Sequence, residues 1–269
     1  MPPAEQILSL YCQTLAKVSR LSATEEICGR KPEQPAAAKG SAPGSGDAPC
    51  PRPATAQVFL RFPGDYREQA GRSYTVVSTP LATVKAGGGV VLAAKPDVTD
   101  RYRSLLTYRD PVGLAQALSS DGVDLSVCTL GRFRKRICYV IGAAYPDLSR
   151  PQVWLDKETL QPARYVIAPA ASTDGPPRLE CLYDSWKTLA SAKGAQTLFP
   201  GKMTLVREGE TVWVRTVKAV KADPELAPRL FDVDAVAEET RKDAGTLGAD
   251  ETELKEVRDL VEGFDQMFR

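Results

Sequence analysis

The residues of this 269-residue chain best suited to chemistry are six cysteines, Cys12, Cys28, Cys50, Cys128, Cys138 and Cys181. No two stand at the Cys-x-x-Cys spacing of thiolate metal sites or redox motifs, and an even, dispersed set points to disulfides. The segment from Asp124 to Gly142 reads as a hairpin whose turn, centred near Phe133, sets Cys128 opposite Cys138. Cys28 and Cys50 would tie together the two ends of a proline-rich stretch, which leaves Cys12 and Cys181 by elimination. The alternative is a set of buried reduced thiols.

The chain has no histidine. That excludes Ser-His-Asp and Cys-His nucleophile pairs, His-ligated metals and the usual acid-base residue near neutral pH. Carboxylates such as Asp121 and Asp124, or Asp232 and Asp234, lack a partner pattern. A phosphate-binding loop is also missing, because Gly194 stands too far from Gly201-Lys202 and Met203 replaces the required hydroxyl. Gly87-Gly88-Gly89 reads as a hairpin turn. No catalytic residue, metal site or cofactor is expected, which favours a binding protein over an enzyme. With 35 basic against 34 acidic side chains the net charge is +1, so no general basic field recruits nucleic acid. No apolar run approaches the roughly 20 residues of a membrane-spanning helix.

The surrounding elements are mostly strands. Ala4 to Leu21 carries Ile7, Leu8, Tyr11, Cys12, Leu15 and Val18 on one stripe, the pattern of an amphipathic helix. Ser22 to Gly29 and Thr55 to Phe62 read as strands flanking residues 31–54, a stretch rich in Pro, Ala and Gly that is expected to be a mobile hairpin insertion. From Thr55 to about Val220 short β-type runs alternate with turns too short for crossover helices, which predicts an antiparallel meander. Leu105 to Ser119, with Asp110-Pro111 inside it, reads as a short helix or irregular segment on the sheet, and Lys187 to Gly194 as a turn. Asp250 with Glu253 opens a second amphipathic helix carrying Leu254, Val257, Leu260, Val261 and Phe264, joined to the body by a polar stretch from Glu238 to Gly248. The expected organisation is therefore a β domain over residues 1–235, then a connection and helix over 236–269. Met1 to Glu5 has neither a basic nor an apolar leader, so an exported form would have lost its signal peptide.

In the hairpin, Leu125 and Val127 share a face with Tyr139 and Ile141, away from Cys128 and Cys138. That face is the more apolar and is expected to point inward. From the next hairpin Val153 and Leu155, or Trp154, join it according to register. Arg132, Arg134, Lys135 and Arg136 make a basic tip.

Leu60-Arg61-Phe62-Pro63-Gly64-Asp65-Tyr66-Arg67 and the segment from Pro151 to Tyr165 (PQVWLDKETLQPARY), followed in order by Tyr183-Asp184-Ser185-Trp186, Phe199-Pro200-Gly201-Lys202-Met203 and Leu230-Phe231, make the chain resemble the bacterial outer-membrane lipoprotein sorting and carrier family, the LolA-type proteins. The resemblance runs from about Glu5 to Val233. It implies a mainly β (α+β) fold: a curved antiparallel sheet forming an incomplete β-barrel, with helices covering the concave face. It also implies a periplasmic location and an apolar cavity for acyl chains of lipid or lipoprotein. A membrane-protein partner of the inner or outer membrane is implied too. Acyl chains need no polar motif, since each buried methylene contributes about 0.8 kcal/mol. Leu125, Val127, Tyr139, Ile141, Val153, Trp154 and Leu155 are the expected lipid-binding residues, with Arg61 or Phe62 as the lid contact. The family arginine that precedes the proline falls at Phe62, and Arg61 lies one residue earlier, on the other face of its strand. A lipid- or envelope-stress-sensing regulatory module and a structural or partner-binding protein with a filled cavity are the competing readings.

Overall fold

In the computed structural model of the protein, the structure describes residues 1–15, 17–29, 53–71, 74–87, 90–94, 98–168, 178–192 and 194–246. The insertion at 31–54, apart from its last two residues, and the helix expected after Asp250 lie outside them. Helix α1 is Ala4–Leu15; the strands that follow are β1 (Arg20–Gly29), β2 (Ala54–Arg61), β3 (Asp65–Ala70), β4 (Tyr74–Ser78), β5 (Thr83–Gly87) and β6 (Val90–Ala94). A 3-10 helix, Val98–Arg103, leads into α2 (Ser104–Thr107) and α3 (Pro111–Ser120). Then come β7 (Cys128–Phe133), β8 (Arg136–Ile141), β9 (Gln152–Asp156), β10 (Pro162–Ala168), β11 (Leu179–Asp184), β12 (Lys187–Ala190), β13 (Gln196–Phe199), β14 (Lys202–Arg207), β15 (Glu210–Ala222) and α4 (Val233–Thr246).

Among the described residues thirteen strands form one antiparallel sheet in the order β6-β5-β4-β3-β2-β1-β15-β14-β11-β10-β9-β8-β7. Among the described residues β6 and β7 pair with no further strand, so the sheet is an incomplete barrel. β1 and β2 pair directly, Leu21 against Leu60, as expected for one hairpin enlarged by the insertion.

Asp110-Pro111 divides the helical segment. Proline cannot donate the backbone hydrogen bond that would continue α2, but it suits the first position of α3. There Asp110 Oδ1 accepts from Gly113 N at 2.5 Å and caps the new helix. On the sheet's concave side, α1 buries Ile7, Leu8, Tyr11, Cys12 and Leu15, none more than 2% exposed. On the convex side α4 lays Val236 on Val77 and Ala86, with Phe231 beside them.

Three readings are corrected. Lys187 to Gly194 is not a turn: β12 pairs with β13 in a separate two-stranded sheet, whose Thr197 hydroxyl donates to Leu15 O and holds the end of α1. The polar stretch after Glu238 continues α4 as far as Thr246. Cys128 and Cys138 are not bonded; they are free, as are Cys12 and Cys181. The reason is register. The β7–β8 turn is Arg134-Lys135, both at positive φ (47° and 69°), so Cys128 pairs with Ile141 and Cys138 with Gly131. Three residues separate Cys128 from Gly131, and an odd offset places the two thiols on opposite faces. Cys28 is disulfide-bonded; its expected partner, Cys50, lies outside the described residues.

Candidate functional site

The concave face of β8–β11 and β14 is predominantly apolar, with Arg207 at its end opposite Leu179. Ile141, Val153, Leu155, Tyr165, Cys181 and Leu205 all lie on it at 0% exposure, in one cluster with the stripe of α1 and with Leu105, Leu114 and Leu118 from the helical segment. Tyr139 and Leu125 pack against this cluster partly buried.

Of the seven expected lining residues, Leu125, Tyr139, Ile141, Val153 and Leu155 are therefore brought together. The other two are not. Val127 precedes β7 and is absent from every buried cluster among the described residues, because Asp124 folds back on Ser126 N and hydroxyl at 3.0 and 2.6 Å and turns the chain there. Trp154 faces the convex side, where Phe133, Tyr145 and the Arg164 guanidinium surround its ring. Glycine is required at position 131, since a Cβ would lie 2.7 Å from the Trp154 ring.

The cover is fastened by few polar links. Tyr11 donates to Leu105 O at 2.6 Å and ties α1 to α2. Tyr183 donates to Tyr102 O at 2.8 Å, and Tyr165 to Asp121 Oδ2 at 2.7 Å. At the β2–β3 turn Gly64 N donates to Thr107 O at 3.1 Å, and the Arg109 guanidinium sits 4.0 Å from the centre of the Phe62 ring. Arg109 is 8% exposed, and its Nε and Nη1 have no hydrogen-bond partner among the described residues. Burial lowers its pKa to about 10. Phe62 is thus the residue that meets the helical cover. Arg61 is on the convex face, paired with Asp65 at 2.7 Å and over Phe231 at 4.7 Å, so of the two residues expected at the lid it is Phe62 that touches the helical segment.

The concave face of β15, β1, β2 and β3 is different. Arg215 donates to Glu68 through two nitrogens, at 3.0 and 3.1 Å, and to Glu25 at 3.2 Å. Arg103 joins Glu68 at 3.3 Å and Asp100 at 3.0 Å, and Tyr66 donates to Glu68 at 2.5 Å. Burial alone would raise the pKa of Glu68, but the two guanidiniums and the Tyr66 hydroxyl hold it at about 2. Burial prevails at Glu25, whose pKa is raised despite Arg215. Composition did not reveal this cluster, because in sequence its members are scattered charges in polar-looking strands; only the pairing of β15 with β1 and of β2 with β3 assembles them. Among the described residues no group of Cys, Asp and Glu could hold a metal ion.

An incomplete antiparallel barrel with a helix-covered apolar concave face defines the architecture as a half-barrel. Solved structures carry the comparison further. A LolA superfamily protein from Nitrosomonas europaea is similar over 87% of this chain and 100% of its own, with a TM-score of 0.52 and 10% identity. An outer membrane lipoprotein-sorting protein domain from Vibrio parahaemolyticus matches over 87% of this chain and 97% of its own (TM-score 0.53, 10% identity). A DUF1329 family protein from Desulfovibrio piger matches over 88% and 100% (0.53, 11%). No family model and no curated protein matches the sequence. The fold is the LolA-type half-barrel, in a divergent sequence.

Proposed function

We propose that the protein is a periplasmic binding or carrier protein for acyl chains of lipids or lipoproteins, which it takes up between α1 and the apolar concave face of β8–β11 and β14. The observation that carries this reading is the predominantly apolar wall under a cover fastened by a handful of polar links. Magnitudes favour exchange. A fully buried aliphatic or aromatic side chain of α1 contributes about 1.5–3 kcal/mol, and an acyl chain about 0.8 kcal/mol per methylene. A dozen methylenes therefore compete on nearly equal terms with the four large residues Ile7, Leu8, Tyr11 and Leu15. The proposed lining is Tyr139, Ile141, Val153 and Leu155, with Leu125 at its margin; the aromatic clasp of Arg109 on Phe62 is the contact that must open.

A second reading has its own observation. Because α1 already fills the concave face, the protein is equally a candidate structural or partner-binding protein with a closed core. Titration with a naturally fluorescent polyene fatty acid separates the two. The carrier reading expects saturable uptake that becomes tighter in Tyr11→Phe, which loses the hydroxyl bond to Leu105 and weakens the cover by about 1–3 kcal/mol. A loss of thermal stability in that variant, with no saturable uptake in either protein, selects the closed core.

A further inference from the structure

The concave apolar lining does not end beneath the helices. Along β8 it runs from Ile141, fully buried, through Tyr139, partly buried, to Ile137, 47% exposed. On the paired edge strand Leu130 stands opposite Tyr139 and is 40% exposed. Large aliphatic side chains on an open rim are a cost in water unless something covers them.

The charges around this rim are one-sided. No acidic residue occurs between Asp124 and Asp147, and the stretch holds Arg132, Arg134, Lys135 and Arg136. All four are exposed. Arg132 shares the concave face with Leu130 and pairs across the hairpin with Ile137. Arg134 reaches Asp184 at 3.2 Å and Arg136 reaches Asp156 at 3.9 Å, both loose pairs with an arginine more than half exposed. The neighbouring β9–β10 turn, whose Lys157 N donates to Ile137 O, adds Lys157 and Glu158, one charge of each sign. Pairing the acids off leaves Arg132 and Lys135 in excess. In a chain of net charge +1 this is a local cationic patch, placed on the apolar rim and at the mouth of the concave face.

We propose that the β7–β8 tip docks on an anionic lipid bilayer, with Arg132 and Lys135 at the headgroups and Leu130 and Ile137 in the interfacial layer. Charge complementarity selects this occupant: basic residues gain from an anionic surface, and apolar side chains beside them gain from the acyl boundary. An acidic protein would satisfy the arginines but not the two aliphatic residues between them. The inference deepens the acyl-chain reading by naming the surface from which a chain would reach Tyr139 and Leu155.

The test is co-flotation of the full chain with vesicles of phosphatidylcholine alone and with about one-third phosphatidylglycerol. Binding is expected only to the anionic vesicles and should fall steeply between about 0.05 and 0.5 M salt. Arg132→Ser with Lys135→Ser should weaken partitioning about 25-fold, some fivefold for each charge, and Ile137→Ser should weaken it at every salt concentration. All three positions are exposed, so folding is checked by an unchanged melting temperature. Equal binding to both vesicles, no binding to either, or full binding by the double variant would overturn the proposal. Fatty-acid titration without vesicles reads the acyl site separately: a double variant that still takes up fatty acid but does not float keeps both, whereas vesicle binding without any fatty-acid uptake removes only the carrier reading.

Discussion

One curved sheet presents two unlike concave surfaces. Over β8–β11 and β14 it is predominantly apolar and meets α1 and the helical segment with almost nothing but hydrocarbon and aromatic rings. Over β15, β1, β2 and β3 the same face also has an apolar cluster, with Leu21, Ala23, Val58, Leu60 and Val217, but beside it stand the buried charges Glu25, Glu68 and Arg215, closed by Arg103 of the 3-10 helix. On the carrier reading proposed above, the contrast would let a half-barrel keep one part exchangeable and the other fixed. Apolar surfaces are non-directional and accept any shape of hydrocarbon, whereas a buried ion network holds only while every partner is in place. On the same carrier reading, an acyl chain sliding past Trp213 toward Arg215 would uncover charges it cannot solvate, and the network would set the far end of its path.

The largest expected effect is on the fixed side. Glu68→Gln leaves Arg103 and Arg215 short of a counter-charge and should cost roughly 3–5 kcal/mol in denaturant unfolding, while fatty-acid affinity is unchanged. The same residue sets an acid limb. Its folded pKa is depressed, so its stabilisation is present above the ordinary 4.5 and lost as pH falls toward about 2. Glu25, raised instead, contributes in the opposite sense: its stabilisation is full below 4.5 and is lost as pH rises through its folded value. Glu25→Gln should therefore be far milder than Glu68→Gln at neutral pH, and equal losses would remove the asymmetry between the two carboxylates.

On the exchangeable side, Leu8→Ala should cost about 2–4 kcal/mol and tighten fatty-acid binding, since it weakens the competitor for the groove. A loss of stability without that gain would place the apolar half alongside the ionic half as fixed core. The smallest effect is expected at the hairpin. Cys128→Ser should change stability by no more than about 1 kcal/mol, with or without reductant, and peptide mapping without reduction should recover Cys128 and Cys138 as free thiols.

The cysteine case also marks what the sequence could convey. Alternation made Tyr139, Ile141, Val153 and Leu155 legible as one apolar face, and the stripe of Ile7, Leu8, Tyr11 and Leu15 legible as its cover. Register was another matter. Arg134 and Lys135 form a two-residue turn at positive φ without the Asn or Gly that usually marks one, so the sequence alone places the hairpin centre too early, near Phe133, which sets Cys128 opposite Cys138 and carries Val127 into a strand. In Gln152–Asp156 every residue is buried, so alternation is erased there, and only the pairing of Tyr139 with Leu155 decides that Trp154 points outward. The ionic cluster was illegible for a third reason: its five charged members, Glu25, Glu68, Asp100, Arg103 and Arg215, come from three strands and a 3-10 helix spread across the chain, and nothing local distinguishes them from solvated surface charge.

Photo-crosslinking with a fatty acid that carries a diazirine near its methyl end tests the division of the concave face most directly. Adducts are expected on the peptides bearing Ile141, Val153, Leu155 and Tyr165, diminished by unlabelled fatty acid, and none on those bearing Val58, Glu68 or Val76. Labelling concentrated on β1–β4, or none that competing fatty acid removes, would contradict that division.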